Sequence, residues 1–135
     1  MKKFASNNPG NQGSEEALKR WLQGIEDSPE LRTEKANQAK KLRVFIGRAS
    51  DMVDQIQNLY NQYVAGIEKT MPIEKRRQLD YLMTAILYMP KNGPTARFQY
   101  DALHNKVQAF RDRWERLVRD LESGKVKRRA PEKRG

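Results

Sequence analysis

The sequence contains no cysteine and only one histidine among its 135 residues. The lack of cysteine excludes disulfides and thiolate metal sites, and it is compatible with the reducing cytoplasm, where we expect the protein to work. No stretch approaches the roughly 20 apolar residues that a membrane-spanning helix needs. Lys2 and Lys3 are not followed by the apolar run of a signal peptide. We therefore predict a chain without a membrane span.

Signatures of catalysis are also missing, since there is no G-x-x-x-x-G-K-[ST] motif and no H-E-x-x-H motif. The single histidine, His104, follows Asp101 by three residues, a spacing similar to that of the Glu-x-x-His ligand pairs of di-metal bundles. Such a site needs further carboxylates, and the inward positions of the longest predicted helix carry none. We expect His104 to flank an apolar stripe, and we predict no metal, no cofactor and no enzymatic activity.

What the sequence does contain is a long amphipathic segment near its C-terminus, over residues 95–124. Its apolar residues recur at alternating spacings of three and four, which places them on one face of an α-helix. Thr95 is the predicted N-cap and Gly124 the predicted left-handed C-cap. The stripe consists of Tyr100, Leu103, Val107, Phe110, Trp114, Leu117 and Leu121. Because such a stripe must be buried, the rest of the chain is predicted to cover it.

Three further helices are predicted before it. The first spans residues 14–26 with Ser14 as its N-cap, and the second begins at Ser28-Pro29 and runs to about Lys69. From Leu42 onward the second helix carries three apolar positions per heptad, a wider face than the two of a plain coiled coil. The third helix is predicted over residues 73–89.

The predicted fold class is all-α, either a long antiparallel helical hairpin or a small three- or four-helix bundle with flexible basic termini. The third helix is much shorter than the last one, so an up-down-up bundle would leave part of the last helix projecting past the third. We therefore favour a hairpin of the second and fourth helices, bridged by the third. The predicted organisation is a flexible leader over residues 1–13, a helical domain over 14–124 and a disordered basic tail over 125–135.

The formal net charge of +10 is unevenly distributed. Residues 125–135 hold six basic residues and one acidic residue, so this short segment carries +5, half of the total. The segment also contains Pro131 and few apolar residues, which is typical of an unfolded tail. We therefore predict that removing residues 125–135 hardly changes stability.

Basic residues in three parts of the chain are candidates for contacts with an anionic partner. The tail suits nucleic acid, an anionic membrane surface or an acidic protein, and equally a solubilising end without a partner. The arginines of the last helix alternate with acidic residues, which favours an ordinary salt-bridged surface. The candidates are Lys40, Lys41, Arg43, Lys75, Arg76, Arg77, Lys125, Lys127, Arg128, Arg129, Lys133 and Arg134.

Three aromatic residues are candidates for a protein-partner surface. Trp21 is the large residue by which the short first helix is expected to dock. Tyr81 and Tyr88 lie seven residues apart beside the stripe of the third helix, where we expect them to be half exposed.

Three short runs carry a resemblance: Tyr60-x-x-Tyr63-x-x-Gly66-Ile67-Glu68-Lys69, then residues 95–100, then Trp114-Glu115-Arg116. With them, residues 40–124 resemble a group of uncharacterised bacterial helical proteins. The resemblance implies a compact helical module and no catalytic activity.

We interpret the sequence as a non-enzymatic protein-interaction or scaffolding module with an accessory basic tail. The expected partner is a protein. Whether that partner is a second copy of this chain, forming a homodimer, is left open by the sequence. The alternative is an RNA- or DNA-binding protein that uses the tail together with the arginine and lysine residues of the helix surfaces.

Overall fold

The computed structural model describes residues 9–32 and 37–130, with side chains from residue 15 onward. It contains four α-helices and no strand within these ranges: α1 (Pro9–Glu26), α2 (Gln38–Val64), α3 (Ile73–Leu87) and α4 (Gly93–Ser123). The predicted all-α fold is therefore confirmed as a small helical bundle. Of the predicted leader, residues 9–13 belong to α1, and residues 1–8 lie outside the described ranges.

The helices α2 and α4 run parallel, with α3 antiparallel to α4. Lys106 of α4 contacts Ser50 of α2, and Trp114, further along α4, contacts Gln57, further along α2. Both helices therefore run in the same direction. Along α3 the order is reversed, because Asp80 meets Arg111 whereas the earlier Arg76 meets Glu115. The favoured antiparallel hairpin is wrong, and the chain forms the up-down-up arrangement instead.

The length mismatch that argued against this arrangement is resolved by α2. It has 27 residues and is about 40 Å long, close to the roughly 46 Å of the 31-residue α4. Lying beside α4, it covers the stripe that the 15-residue α3 is too short to cover. The stripe is deeply buried at Leu103, Val107 and Trp114 and half-buried elsewhere.

The apolar face of α2 contributes more residues to the buried core than any other helix. Tyr60 and Trp114 are fully buried at its centre, with ring centroids 5.7 Å apart. The Trp114 indole N–H donates a hydrogen bond to Gln57 Oε1 at 3.0 Å, which satisfies its only polar atom. The buried residues of α2 are Leu42, Phe45, Ala49, Met52, Val53, Ile56 and Tyr60.

The start of α2 differs from the prediction. Ser28 and Pro29 form a turn that ends α1, where the Ser28 N–H donates to Ile25 and its carbonyl accepts from Leu31. The helix begins ten residues later, where the Asn37 side chain caps it by accepting from the Lys40 N–H at 2.9 Å. Residues 33–36, between this turn and Asn37, lie outside the described residues.

The end of α2 also comes earlier than predicted. Gly66 has a φ of 83°, its N–H donates to Tyr63, and the following N–H of Ile67 donates to Gln62. These two bonds define a Schellman motif, in which glycine takes the left-handed position after the helix. The prediction that this helix continues through Gly66 to about Lys69 is therefore wrong.

The side chain of Lys91 caps the C-terminal end of α3. Lys91 Nζ donates hydrogen bonds of 2.7–2.8 Å to the carbonyls of Ile86, Leu87 and Met89 at the end of α3. It also lies 4.6 Å from the centroid of the Tyr100 ring. Burial of this amine and the neighbouring Arg97 lower the pKa of Lys91 below its usual range. The contact fixes the turn from α3 into α4, at the end of the bundle where α2 begins.

Candidate protein-binding groove and basic surfaces

A groove of about 430 Å³ runs along the first half of the bundle between α2 and α4. On α2 its wall is a single stripe at helical spacing, from Arg43 to Ser50, and on α4 it runs from Phe98 to Lys106. Since every lining residue comes from these two helices, α1 and α3 leave the groove open. The lining residues are Arg43, Ile46, Gly47, Ser50, Phe98, Gln99, Ala102, Leu103 and Lys106.

Phe98 is the most conspicuous side chain of the groove, because 71% of its surface is exposed. It lies off the apolar stripe of α4, two residues before Tyr100 in the sequence. Sequence reasoning missed it, although an aromatic residue outside the buried stripe was the signal that could have identified it. An exposed aromatic side chain beside an apolar groove is typical of a protein-binding surface.

The charges at the groove are positive. Arg43 is exposed, and its side chain forms no hydrogen bond or ion pair within the described part of the chain. Lys106 Nζ donates to Ser50 Oγ at 2.9 Å and pairs with Asp54 at 3.2 Å, which holds it at the groove wall. No acidic residue lines the groove.

The predicted anionic contacts do not form one patch. Lys40, Lys41 and Arg43 lie where α2 begins, whereas the cluster at the start of α3 meets α2 near Gln55 and Tyr60. The two groups are therefore separated by roughly 12 to 20 residues of α2, about 18–30 Å. Only the α3 group lies at the same end of the bundle as the segment after α4.

Several of these cations already have partners inside the protein. Lys41 pairs with Glu26 at 3.1 Å and so ties α1 to α2. Arg76 donates to the Tyr60 hydroxyl at 3.2 Å and lies over the Trp114 ring. Lys75 donates to Gln55 at 3.0 Å, and Arg77 lies 3.8 Å from Glu74. Lys41, Lys75 and Arg76 thus link neighbouring helices, whereas the Arg77–Glu74 contact lies within α3.

The segment after α4 is ordered where a disordered tail was predicted. Arg128 Nε donates to the Tyr63 carbonyl at 2.8 Å, Nη2 donates to the Glu68 carbonyl, and the guanidinium lies 4.3 Å from the Tyr63 ring centroid. The Arg129 N–H donates to the Val64 carbonyl at 2.7 Å. A cation at the carbonyl end of α2 is also favoured by the helix dipole. The prediction is therefore wrong for residues 125–130.

Side chains of this C-terminal segment alternate between two environments. Val126 and Arg128 are half-buried against the bundle, whereas Lys125, Lys127 and Arg129 are exposed. Of the other predicted tail contacts, Lys133 and Arg134 lie outside the described residues.

The three aromatic candidates are separated by the fold. Trp21 is half-buried and packs against the core, as expected for the docking residue of α1. Tyr81 is half-buried and Tyr88 is 81% exposed. None of the three lines the groove, so they do not form one partner surface with it.

His104 is exposed on α4, with its ring centroid 6.0 Å from that of Tyr100. Asp101 is exposed as well. Over residues 9–32 and 37–130, no group of three or more histidine, cysteine, aspartate and glutamate side chains is placed to hold a metal ion.

No protein-family model, curated protein or solved structure significantly matches the chain. Within the described ranges, no helix has both the length and the apolar composition to cross a membrane.

Proposed function

We propose that the protein is a non-enzymatic interaction module that binds a segment of a partner protein in the groove between α2 and α4. The observation that carries the proposal is the apolar groove with Phe98 exposed beside it. Grooves between packed helices are common sites for peptide recognition. We also propose a cytoplasmic location, with which the absence of cysteine is compatible.

A protein partner is favoured over nucleic acid by the composition of the groove. Its walls contain Ile46, Ala102 and Leu103, which offer apolar contact area rather than donors for phosphates. Specific nucleic-acid surfaces are far more positively charged, and their contacts go mostly to phosphate oxygens. Many of the chain's helical cations are engaged in ion pairs or internal hydrogen bonds instead.

The test is in-cell photocrosslinking with p-benzoylphenylalanine in place of Phe98. We expect a covalent adduct of one discrete mass, because this side chain would lie against the bound partner. The matched control places the same group at Ile67, which is also 71% exposed but lies beyond the far end of α2. After identification of the adduct, Phe98→Ala is expected to weaken binding of the purified partner by about tenfold or more, and Ile67→Ala by less than about twofold. Identical adducts at both positions, or none at position 98, would contradict the proposal.

Nucleic-acid binding is a second candidate, and the C-terminal segment favours it. Lys125, Lys127 and Arg129 are all exposed in the segment that Arg128 anchors. Exposed cations close together in the sequence suit contacts with phosphates.

The variant Lys125→Ala/Lys127→Ala/Arg129→Ala separates the two candidates while retaining the Arg128 anchor. We expect its affinity for the crosslinked protein partner to stay within about threefold of wild type, with a slower association rate at most. If the segment instead binds nucleic acid, the slope of log K against log salt flattens by about 0.9 for each lost phosphate contact on duplex DNA. If the variant loses affinity for both nucleic acid and the protein partner, nucleic-acid binding becomes the favoured hypothesis.

A further inference from the structure

We infer that the groove takes an α-helix of the partner whose apolar stripe is flanked by acidic residues, an inference that rests on the proposed function. It specifies the chemistry of the partner segment, which the proposed function leaves open. Three properties of the groove carry it: its shape, the glycine in its wall and its charge.

The shape of the groove matches a short helical segment. The α2 stripe from Arg43 to Ser50 covers two helical turns, about 10 Å, and the α4 side from Phe98 to Lys106 is slightly longer. Parallel ridges of two helices form a furrow into which a third helix packs with its own apolar stripe. An amphipathic helix in an apolar groove is an established mode of peptide recognition.

Gly47 allows such a helix to approach closely. A glycine in the interior of a helix costs about 1 kcal/mol relative to alanine. A Cβ added at Gly47 would meet nothing within 4 Å, so no neighbour in the described chain requires glycine there. Together with the small side chains of Ser50 and Ala102, it leaves the groove wall open to another backbone.

The charge of the groove selects an acidic partner. Arg43 has no partner within the described residues, Lys106 lies at the opposite wall, and the lining contains no acidic side chain. Glutamate or aspartate beside the apolar stripe of a bound helix would pair with Arg43 without disturbing the bundle. A second copy of this chain is disfavoured, because each copy carries a formal charge of +10.

The experiment is a selection from a displayed library of 14-residue helices on the full-length chain. The library keeps a leucine stripe at helical spacing and randomises the flanking positions among glutamate, lysine and glutamine. We expect enrichment of net-negative sequences, and we then measure the affinity of an enriched peptide by fluorescence anisotropy. Gly47→Leu should weaken binding at least tenfold, because its side chain occupies the furrow, and Arg43→Glu should weaken it at least fivefold.

Gly24→Leu is the matched control for Gly47→Leu. Gly24 lies in α1, away from the groove, and a Cβ there also meets nothing within 4 Å. Both variants should keep the helical circular dichroism and melting temperature of wild type, but Gly24→Leu should bind the peptide unchanged. Enrichment of neutral or basic helices, or binding that survives Gly47→Leu, overturns the inference. So does no enrichment at all, or a homodimer in light scattering that Gly47→Leu dissociates.

The outcome is distinguishable from that of the proposed function. If the adduct at position 98 forms while the selection enriches no acidic helices, the interaction module stands and only the chemistry of its partner is wrong. If no adduct forms at position 98 and no acidic helix is enriched, both the proposed function and this inference are wrong.

Discussion

Replacing Trp114 with alanine is expected to cost about 3–5 kcal/mol of unfolding free energy. The side chain is fully buried, packs against Tyr60 and Phe110, and lies beneath the Arg76 guanidinium. Its removal leaves a cavity between α2 and α4 and deprives Gln57 of its hydrogen-bond donor. Urea denaturation followed by circular dichroism measures the loss.

Phe98→Ala is the control on the same helix, because it also removes an aromatic ring from α4. Since most of the Phe98 surface is exposed, its loss should cost well under 1 kcal/mol. Equal costs for the two variants would show that Trp114 is not the centre of the core.

Gly66→Ala is expected to cost about 2–3 kcal/mol, for two separate reasons. The φ of 83° is the left-handed conformation, which costs other residues about 1–2 kcal/mol. In addition, the new Cβ would lie 2.5 Å from the Arg129 carbonyl oxygen, so the C-terminal segment would have to move. Gly124→Ala separates these effects, because Gly124 has a φ of 82° but nothing within 4 Å of an added Cβ. It should cost only about 1 kcal/mol.

Truncation of residues 125–135 completes a double-mutant cycle with Gly66→Ala. Truncation alone should cost about 1–3 kcal/mol, because it removes the hydrogen bonds of Arg128 to the carbonyl end of α2. This replaces the sequence-based prediction that stability hardly changes. In the truncated chain, the cost of Gly66→Ala should fall to that of Gly124→Ala. If the cost is unchanged by truncation, the segment does not pass over Gly66 in solution.

Local features of the helices were predictable because their signals lie within a few residues. The stripe of α4 identifies Leu103, Val107 and Trp114 as core residues, and Gly124 as its left-handed C-cap. Both follow from the 3.6-residue period and from the preference of glycine for positive φ. The apolar face of α2 was predictable in the same way.

Helix boundaries were harder to predict from the sequence, because several start and stop signals lie close to each true boundary. Ser28-Pro29 is a strong start signal, yet α2 is capped by Asn37 and begins after it, shortly before its apolar face. Gly66 fits a heptad position and a C-cap equally well in sequence. In the structure Gly66 is the cap, because its N–H and that of Ile67 donate to the last carbonyls of α2.

The candidate groove required the tertiary structure, since its walls come from residues about fifty positions apart. Phe98 carries a signal of its own as an aromatic residue outside the stripe, but only the parallel packing of α2 and α4 brings it and Gly47 to the same groove. The basic residues show the opposite case. The sequence left open whether these groups meet in one patch. The bundle separates them between its two ends and pairs several of them internally.

The sequence by itself therefore determined an all-α chain, its apolar faces and its excess of positive charge, because periodicity, caps and composition act over short distances. Only the tertiary structure decided the direction of α4, the open groove beside Phe98 and the return of Arg128 to the end of α2. These features depend on which buried faces and unsatisfied carbonyl groups find each other across the chain. That choice is made by packing the whole bundle at once, with α2 long enough to cover α4 and a cation available where its last carbonyls end.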